Sequence, residues 1–323
     1  MRRSRIFHRI AQNIGLILVF VVLAGAVILY TVVYWVQQDM LPGNFEITST
    51  VNNTMPLAMS AVGQAIVVLT RGLDLSVGGM VDLANSLAAV HMKDSPGSMI
   101  AWTGIVLAMG AAGGLCNGLL VAYGRLQPIL VTLATLSIFQ GLALRVLPDP
   151  GGAIPPMYTA LLVNTDQPYA LLYIAAVALA WFVFRRTTVG ASVVAIGNDE
   201  HAARAYGINV ERTKIVAYAL SGLFAAAAGL CLAATATAGD ATSGGEFTLA
   251  SIVAVVLGGV NLFGGRGSAI GAIAGAFVAT MIVNILFFAH IDPLYQSFYE
   301  GLFLIIAVVL GMLIGRMLKR GRS

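Results

Sequence analysis

The sequence predicts an all-α, polytopic integral membrane protein with about ten transmembrane helices in two inverted halves of five. Three observations predict it. The 323 residues are 59% hydrophobic and only 10% charged, where a soluble domain is roughly a quarter charged. Apolar runs repeatedly reach the roughly 20 residues that cross a bilayer as a helix. Arginines cluster at every second connection between those runs. An odd number of helices per half turns the second half over relative to the first.

The first run spans 14–36 and follows the basic start MRRSRIFHRI. It exceeds the apolar core of about 7–15 residues found in a secretory leader, so it is expected to be a retained helix. The following spans are expected at 55–70, 76–92, 99–123, 128–147, 169–184, 213–236, 249–263, 268–289 and 297–317. Gln37–Thr54 and Pro148–Pro168 are left as the longer outer connections. The second contains PDPGGAIPP, which cannot continue a helix. Thirty-six glycines suit membrane helices that approach through small residues. Cys116 and Cys231 lie in apolar runs and are expected to be buried small hydrophobes. The whole chain, 1–323, reads as one transmembrane domain with a polar loop at about 185–214.

Orientation follows from lysine and arginine in short loops. With the N-terminus in the cytoplasm, Arg2, Arg3, Arg5, Arg9, Arg125, Arg185, Arg186, Arg204, Arg212, Lys214, Arg266, Arg316, Lys319, Arg320 and Arg322 fall inside, as does the C-terminus. Only Lys93 and Arg145 fall outside. The formal charge of +4 therefore reflects topology and anionic lipid rather than nucleic acid.

The inner loop RRTTVGASVVAIGNDEHAARAYGINVERTK is the longest polar stretch in this charge-poor chain. Asn198 can cap a short helix. Asp199 and Glu200 suit its first turn, and Gly207 can end it with a left-handed residue. A helix of about two turns over 198–207 is expected. A loop lying on the membrane surface is the plainer alternative.

IGNDEHAARAYGIN and the following ERTKIVAYALSGLFAAAAGL resemble the cytoplasmic coupling loop of bacterial ATP-binding-cassette importer permeases, most closely the ribose-type sugar branch. LTRGLDLSVGG (69–79), GLLVAYGRLQPILVTLATLSIFQGLA (118–143) and IVAVVLGGVNLFGGRGSAIGAIAGAF (252–277) resemble the same branch, in its order and spacing. The resemblance covers nearly the whole chain. It implies a permease in the bacterial inner membrane that pairs with a second permease subunit, identical or related. Such a permease receives a sugar from a periplasmic binding protein and is driven by cytoplasmic ATPases. Gly197, Asn198, Glu200, Ala202, Arg204 and Gly207 match the loop residues that would dock into the ATPase. ATP belongs to that partner: no phosphate-binding loop occurs, since none of Lys93, Lys214 and Lys319 follows a glycine. No cofactor and no enzymatic activity are expected in this chain. His8, His91, His201 and His290 show no metal-ligand spacing.

Polar residues inside apolar spans are the substrate-pathway candidates. Asp74 can pair with Arg71, can cap the third helix as Ser76 can, or can touch substrate. Asp82 shares a helical face with Gly78, Asn85 and Ser86. It serves either substrate selectivity or an interhelical contact. The family's usual residue there is small and apolar, and the acidic residues usual near Phe247 to Ser251 are absent. Ser60, Gln64, Asn117 and Asn284 line the pathway or hold helices together; packing is the simpler role. Two rival functions share the composition: a branched-chain amino-acid permease of the same architecture, and an ion-driven secondary transporter using Asp74 and Asp82.

Overall fold

The computed structural model describes residues 14–292 and a few positions beyond. The basic N-terminus and most of the expected span 297–317 lie outside the described residues. Among the described residues twelve helices follow in order: α1 (Ile14–Gln38), α2 (Asn44–Leu69), α3 (Val77–His91), α4 (Pro96–Ala122), α5 (Pro128–Val146), α6 (Pro156–Leu162), α7 (Ala170–Phe184), α8 (Thr188–Asn198), α9 (Glu200–Ala205), α10 (Val210–Ala236), α11 (Glu246–Leu257) and α12 (Ala269–Phe288). Among the described residues there is no strand, only an isolated bridge between Gly151 and Gly239. The protein is an all-α polytopic membrane protein.

The expected spans do not map one for one onto membrane crossings. Among the described residues, α1, α4, α5, α10 and α12 are long and apolar enough to cross alone, and α7 with α8 forms a sixth candidate bent by 78°. α3 and α11, at 15 and 12 residues, are too short to span about 30 Å of hydrocarbon. Each completes its path through a non-helical approach, residues 72–76 and 237–245. Such backbone is tolerated at membrane depth only when protein surrounds it.

Three expectations are corrected. Gln37–Thr54 is mostly helix, because α2 already starts at Asn44. Glu46 accepts from the Gly43 N–H at 2.7 Å and secures that start. The polar residues that hide this helix from a hydropathy reading face protein: Asn52 donates to Asn164 O at 3.0 Å, and Thr50 Oγ1 accepts from Asn284 at 2.9 Å. The 148–168 connection, in turn, holds a short helix, α6. Cys231 is buried as expected, but Cys116 is exposed, on the outward face of α4, because an apolar run does not distinguish a lipid-facing from a protein-facing position.

α10 is the central element, packed against α2, α3 and α4. Its seam with α4 is made by glycines. A Cβ on Gly110, Gly114 or Gly118 would lie within 2.5 Å of Gly222 O, 2.1 Å of Tyr218 O and 2.7 Å of Ile215 Cα respectively. This four-residue spacing lets two backbones touch along one ridge.

The chain direction then sets the two ends. α2 runs to the arginine-rich end, where Leu69 meets Gly197 and Gly265. From there, 72–76 turns back into the bundle and α3 continues to the opposite end. α10 runs the other way, reaches the Gly151–Gly239 bridge, and 240–245 turns back to α11. α11 returns to the arginine-rich end, where Gly259 packs on Gly15 of α1.

Candidate functional site

The interior polar groups fall into two chains. In the first, the break before α3 forms a turn: Asp74 Oδ1 accepts from the Ser76 N–H and hydroxyl. Asn117 of α4 donates to Ser76 Oγ at 2.9 Å, and Tyr218 of α10 donates to Leu73 O at 3.3 Å. Ser221 of α10 lies beside Asp74. The expected Arg71–Asp74 pair does not form. Arg71, with φ +66°, turns away from the bundle and donates to backbone carbonyls instead.

In the second chain, Asp82 of α3 accepts through Oδ1 from the Gly244 N–H. Asn85 donates to Asp240 O at 3.4 Å, and Ser86 shares the same buried face. Asp74, Ser76, Asp82, Asn85 and Asn117 are all buried. Asn284 stands apart from them, half-buried in the α12–α2 contact with Thr50.

This interior holds more polar atoms than it satisfies. Ser60 Oγ, both amide atoms of Gln64, Asp82 Oδ2, Asn85 Oδ1, Ser86 Oγ and Asn117 Oδ1 are buried without a hydrogen-bond partner. Each such group costs on the order of 1–3 kcal/mol, so a cluster of them is kept for more than packing. Ser221, beside Asp74, and Thr248, which accepts from the Gly78 N–H, belong to the same interior without having been singled out from the sequence. Their only signal there is a hydroxyl in an apolar run.

At the arginine-rich end three segments are tied in a knot. Arg71 Nε donates to Gly197 O at 2.9 Å and Phe263 O at 3.1 Å, and Nη2 donates to Asn198 O at 2.7 Å. These carbonyls include the last two of α8, which lack partners within the helix and attract a cation. Gly265 N–H donates to Leu69 O at 3.1 Å. Gly197 is therefore buried, not surface: a Cβ there would lie 1.8 Å from Leu69 O. This role for Arg71 was missed in the sequence, where its partners stand 126 to 192 residues away.

The expected two-turn helix over 198–207 is the shorter α9, and its cap is Asp199, not Asn198. Asp199 accepts from the Ala202 N–H at 2.9 Å, while Asn198 closes α8 and returns its amide to Val194 O. Asp199 has the extended backbone an N-cap requires. That N–H bond holds its carboxyl below the usual carboxylate range. Gly207 ends the turn with φ +81°, as expected. Glu200 and Arg204 brace α9 onto α10: Lys214 bonds Glu200 at 2.8 Å and Arg204 bonds Glu211 at 2.8 Å. The hydrogen bond to Glu211 raises the Arg204 pKa. Ala202 and Gly207 remain exposed, as do two large aromatics at this end, Tyr206 at 89% and Phe263 at 83%.

Residues 46–310 match the family described as "Branched-chain amino acid transport system / permease component". The chain belongs to this permease family. It is 31% identical over 291 residues to the ribose import permease protein RbsC of Escherichia coli (strain K12), covering 85% of this chain and 88% of that protein. The RbsC of Bacillus subtilis (strain 168) is 33% identical over 261 residues, 77% and 79% of the two chains. The autoinducer 2 import system permease protein LsrC of Enterobacter sp. (strain 638) is 34% identical over 266 residues, 79% and 75%. No solved structure matches.

Proposed function

We propose that this chain is the membrane-spanning subunit of an ATP-driven bacterial importer for a sugar or related polyol. The observation that carries the proposal is the knot around Arg71. One guanidinium joins the end of α8, next to the exposed α9, to the last residues of α2, from which the chain re-enters the bundle towards Asp74 and α3. A push on α9 from the cytoplasm therefore reaches the buried polar interior through short, hydrogen-bonded backbone. Relatives named for ribose import support the sugar class.

In this reading α9 seats on a cytoplasmic ATP-binding-cassette ATPase, which holds the ATP. Ala202, Gly207, Tyr206 and Phe263 form the exposed contact, and exposed aromatics are suited to anchor it. Glu200 and Arg204 keep α9 rigid on α10, and Gly197 and Asn198 pass the motion inward. A periplasmic binding protein delivers substrate to the opposite end, and a second permease subunit, identical or related, completes the pathway in the inner membrane. Asp74, Ser76, Asp82, Asn85 and Asn117 supply hydroxyl-binding groups as the halves rock between inward and outward access. Asn284 holds α12 to α2. The N- and C-termini face the cytoplasm by the arginine distribution.

The family description favours one second reading, a branched-chain amino acid as substrate. A single experiment separates the readings. The full chain is reconstituted with the ATPase and binding protein encoded beside it, and ATP-dependent uptake of labelled ribose is compared with that of labelled leucine. Uptake of ribose, or competition by other pentoses, hexoses or polyols, supports the proposal. Uptake of leucine alone replaces the substrate class. Uptake that persists without the ATPase overturns the ATP-driven reading and points to an ion-driven carrier.

A further inference from the structure

The two breaks in the bundle share a spelling. Asp74-Leu75-Ser76-Val77-Gly78-Gly79 and Asp240-Ala241-Thr242-Ser243-Gly244-Gly245 both read Asp-x-Ser/Thr-x-Gly-Gly. They also fold alike. Asp74 Oδ1 accepts from the Ser76 N–H at 3.0 Å and from the Ser76 hydroxyl. Asp240 Oδ1 accepts from the Thr242 N–H at 2.8 Å and from the Thr242 hydroxyl at 2.7 Å. Each turn opens a short helix, α3 or α11, after a long one, α2 or α10, and the two units run in opposite directions.

The two units meet at their glycines, and the meeting is reciprocal. Gly78 N–H donates to Thr248 Oγ1 at 3.1 Å, and Gly244 N–H donates to Asp82 Oδ1. Thr248 stands four residues after Gly244, and Asp82 stands four residues after Gly78. Each short helix thus offers, one turn beyond its own glycine, the acceptor for the glycine N–H of the other. The backbones touch there: a Cβ on Gly78 would lie 2.8 Å from Gly244 O, and one on Gly244 would lie 2.6 Å from Gly78 O. The Thr248 hydroxyl spends its proton on Leu75 O at 3.4 Å, so it is free to accept.

The physical need is plain. N–H groups at a helix start have no partner inside their own helix. Away from water they must find one in the protein. Here neither helix caps itself: no side chain accepts at the N-cap position of α3 or α11. The Gly78 N–H, in the first turn of α3, and the Gly244 N–H, just before the N-cap of α11, each find their acceptor across the crossing instead. At Asp82 the acceptor is a carboxylate beside a helix N-terminus, where negative charge is favoured.

We propose that Asp82 and Thr248 are a matched pair of positioning residues that pin the two broken helices to each other across an internal two-fold axis. The pin makes α3 and α11 one unit, so that a displacement entering at α2 through Arg71 is shared by both inverted halves. Asp82 then acts on the pathway through Gly244, with its second oxygen left over for water or substrate. This inference rests on the fold and not on the identity of the substrate.

The test is hydrogen exchange in the full-length permease in lipid nanodiscs, read in peptides covering 76–80 and 243–247. The pairing predicts that each substitution acts on the opposite peptide. Thr248→Val removes the acceptor at constant shape and speeds exchange in 76–80 about tenfold, the effect of one lost hydrogen bond. Thr248→Ser keeps the acceptor and the wild-type rate. Asp82→Val speeds 243–247 by at least as much, and Asp82→Asn, which retains an oxygen acceptor, does not. Faster exchange confined to the peptide next to the substitution, 243–247 for Thr248→Val or 76–80 for Asp82→Val, overturns the proposal, as does no change in 76–80 for Thr248→Val. If Asp82→Val does not fold, the Thr248 pair of variants decides alone. Transport is not measured, so a wrong substrate class leaves this result standing.

Discussion

The seam between α4 and α10 and the knot around Arg71 join helices by opposite means. The seam has no polar contact to lose: Gly110, Gly114, Gly118 and Gly222 bring two backbones to contact, and dispersion holds them. The knot has little apolar area: one guanidinium and one glycine N–H satisfy carbonyls from distant segments. The seam is therefore broken by adding atoms and the knot by removing a donor. A transporter needs both kinds of joint. Close-packed backbones move together, while hydrogen bonds at a water-exposed end can be exchanged for others as the chain moves.

The largest expected effect is at the seam. Gly114→Ala places a methyl 2.1 Å from Tyr218 O, where backbone on both sides leaves nothing flexible to yield. A loss on the order of 3 kcal/mol is expected, read as lower thermal stability of the detergent-solubilised chain. Gly104→Ala on the same helix, with nothing within 4 Å, is the control and should cost nothing measurable. Equal behaviour of the two would show that α4 and α10 are not in backbone contact.

At the knot, Arg71→Ala removes three hydrogen bonds at a partly exposed site, where water replaces some of their worth. About 2 kcal/mol of local stability is expected to go, read as faster proteolysis near 197–199 and 263–266 with the bundle intact. Arg71→Lys keeps the charge but not the fork that reaches Gly197, Phe263 and Asn198 together. It should fall midway. Under the proposed function both also weaken the coupling of ATP hydrolysis to uptake. Wild-type proteolysis in Arg71→Ala would remove Arg71 from the joint.

Much of the fold was legible because lipid-facing helices advertise themselves by hydropathy alone. α1, α4, α5, α7, α10 and α12 begin and end within a few residues of the expected spans. α2 was truncated because Thr48, Thr50, Asn52 and Thr54 are polar yet buried against other helices. The site was legible only in part. Asp82 and Asn85 stand out as polar residues in an apolar span, but Arg71, Ser221 and Thr248 acquire meaning from partners that no local pattern reveals. Asp82 and the 247–251 segment stand about 170 residues apart, and no local pattern in the sequence links them. The structure brings both places to one crossing, through the Gly244 N–H on Asp82 and the Gly78 N–H on Thr248.

Gly207 gives a smaller contrast within the arginine-rich end. Its φ of +81° suits glycine, but open space surrounds it. Gly207→Ala therefore costs only backbone strain, about 1 kcal/mol, and should loosen the end of α9 without touching the seam. The signal is greater mobility of a spin label at Ala202→Cys, with unchanged thermal stability of the bundle. A drop in global stability as large as that of Gly114→Ala would place Gly207 in the packed core.

The smallest effect is that of pH on the same helix. The Asp199 carboxyl is held below its ordinary range by the Ala202 N–H. A lowered folded pKa means that the unfolded segment binds the proton more tightly. The stabilisation is therefore complete above the unfolded value, about pH 4, and is lost as pH falls through the lower folded value. Asp199 is exposed, so salt and water screen the effect. A spin label at Ala202→Cys should report the same ordered α9 from pH 7 to pH 5 and increasing mobility only below about pH 4. Asp199→Asn should move that transition, because an amide still accepts from the Ala202 N–H but no longer titrates. Mobilisation centred between pH 6 and 7 would assign the transition to an imidazole and remove the Asp199 carboxylate as the element that orders the helix.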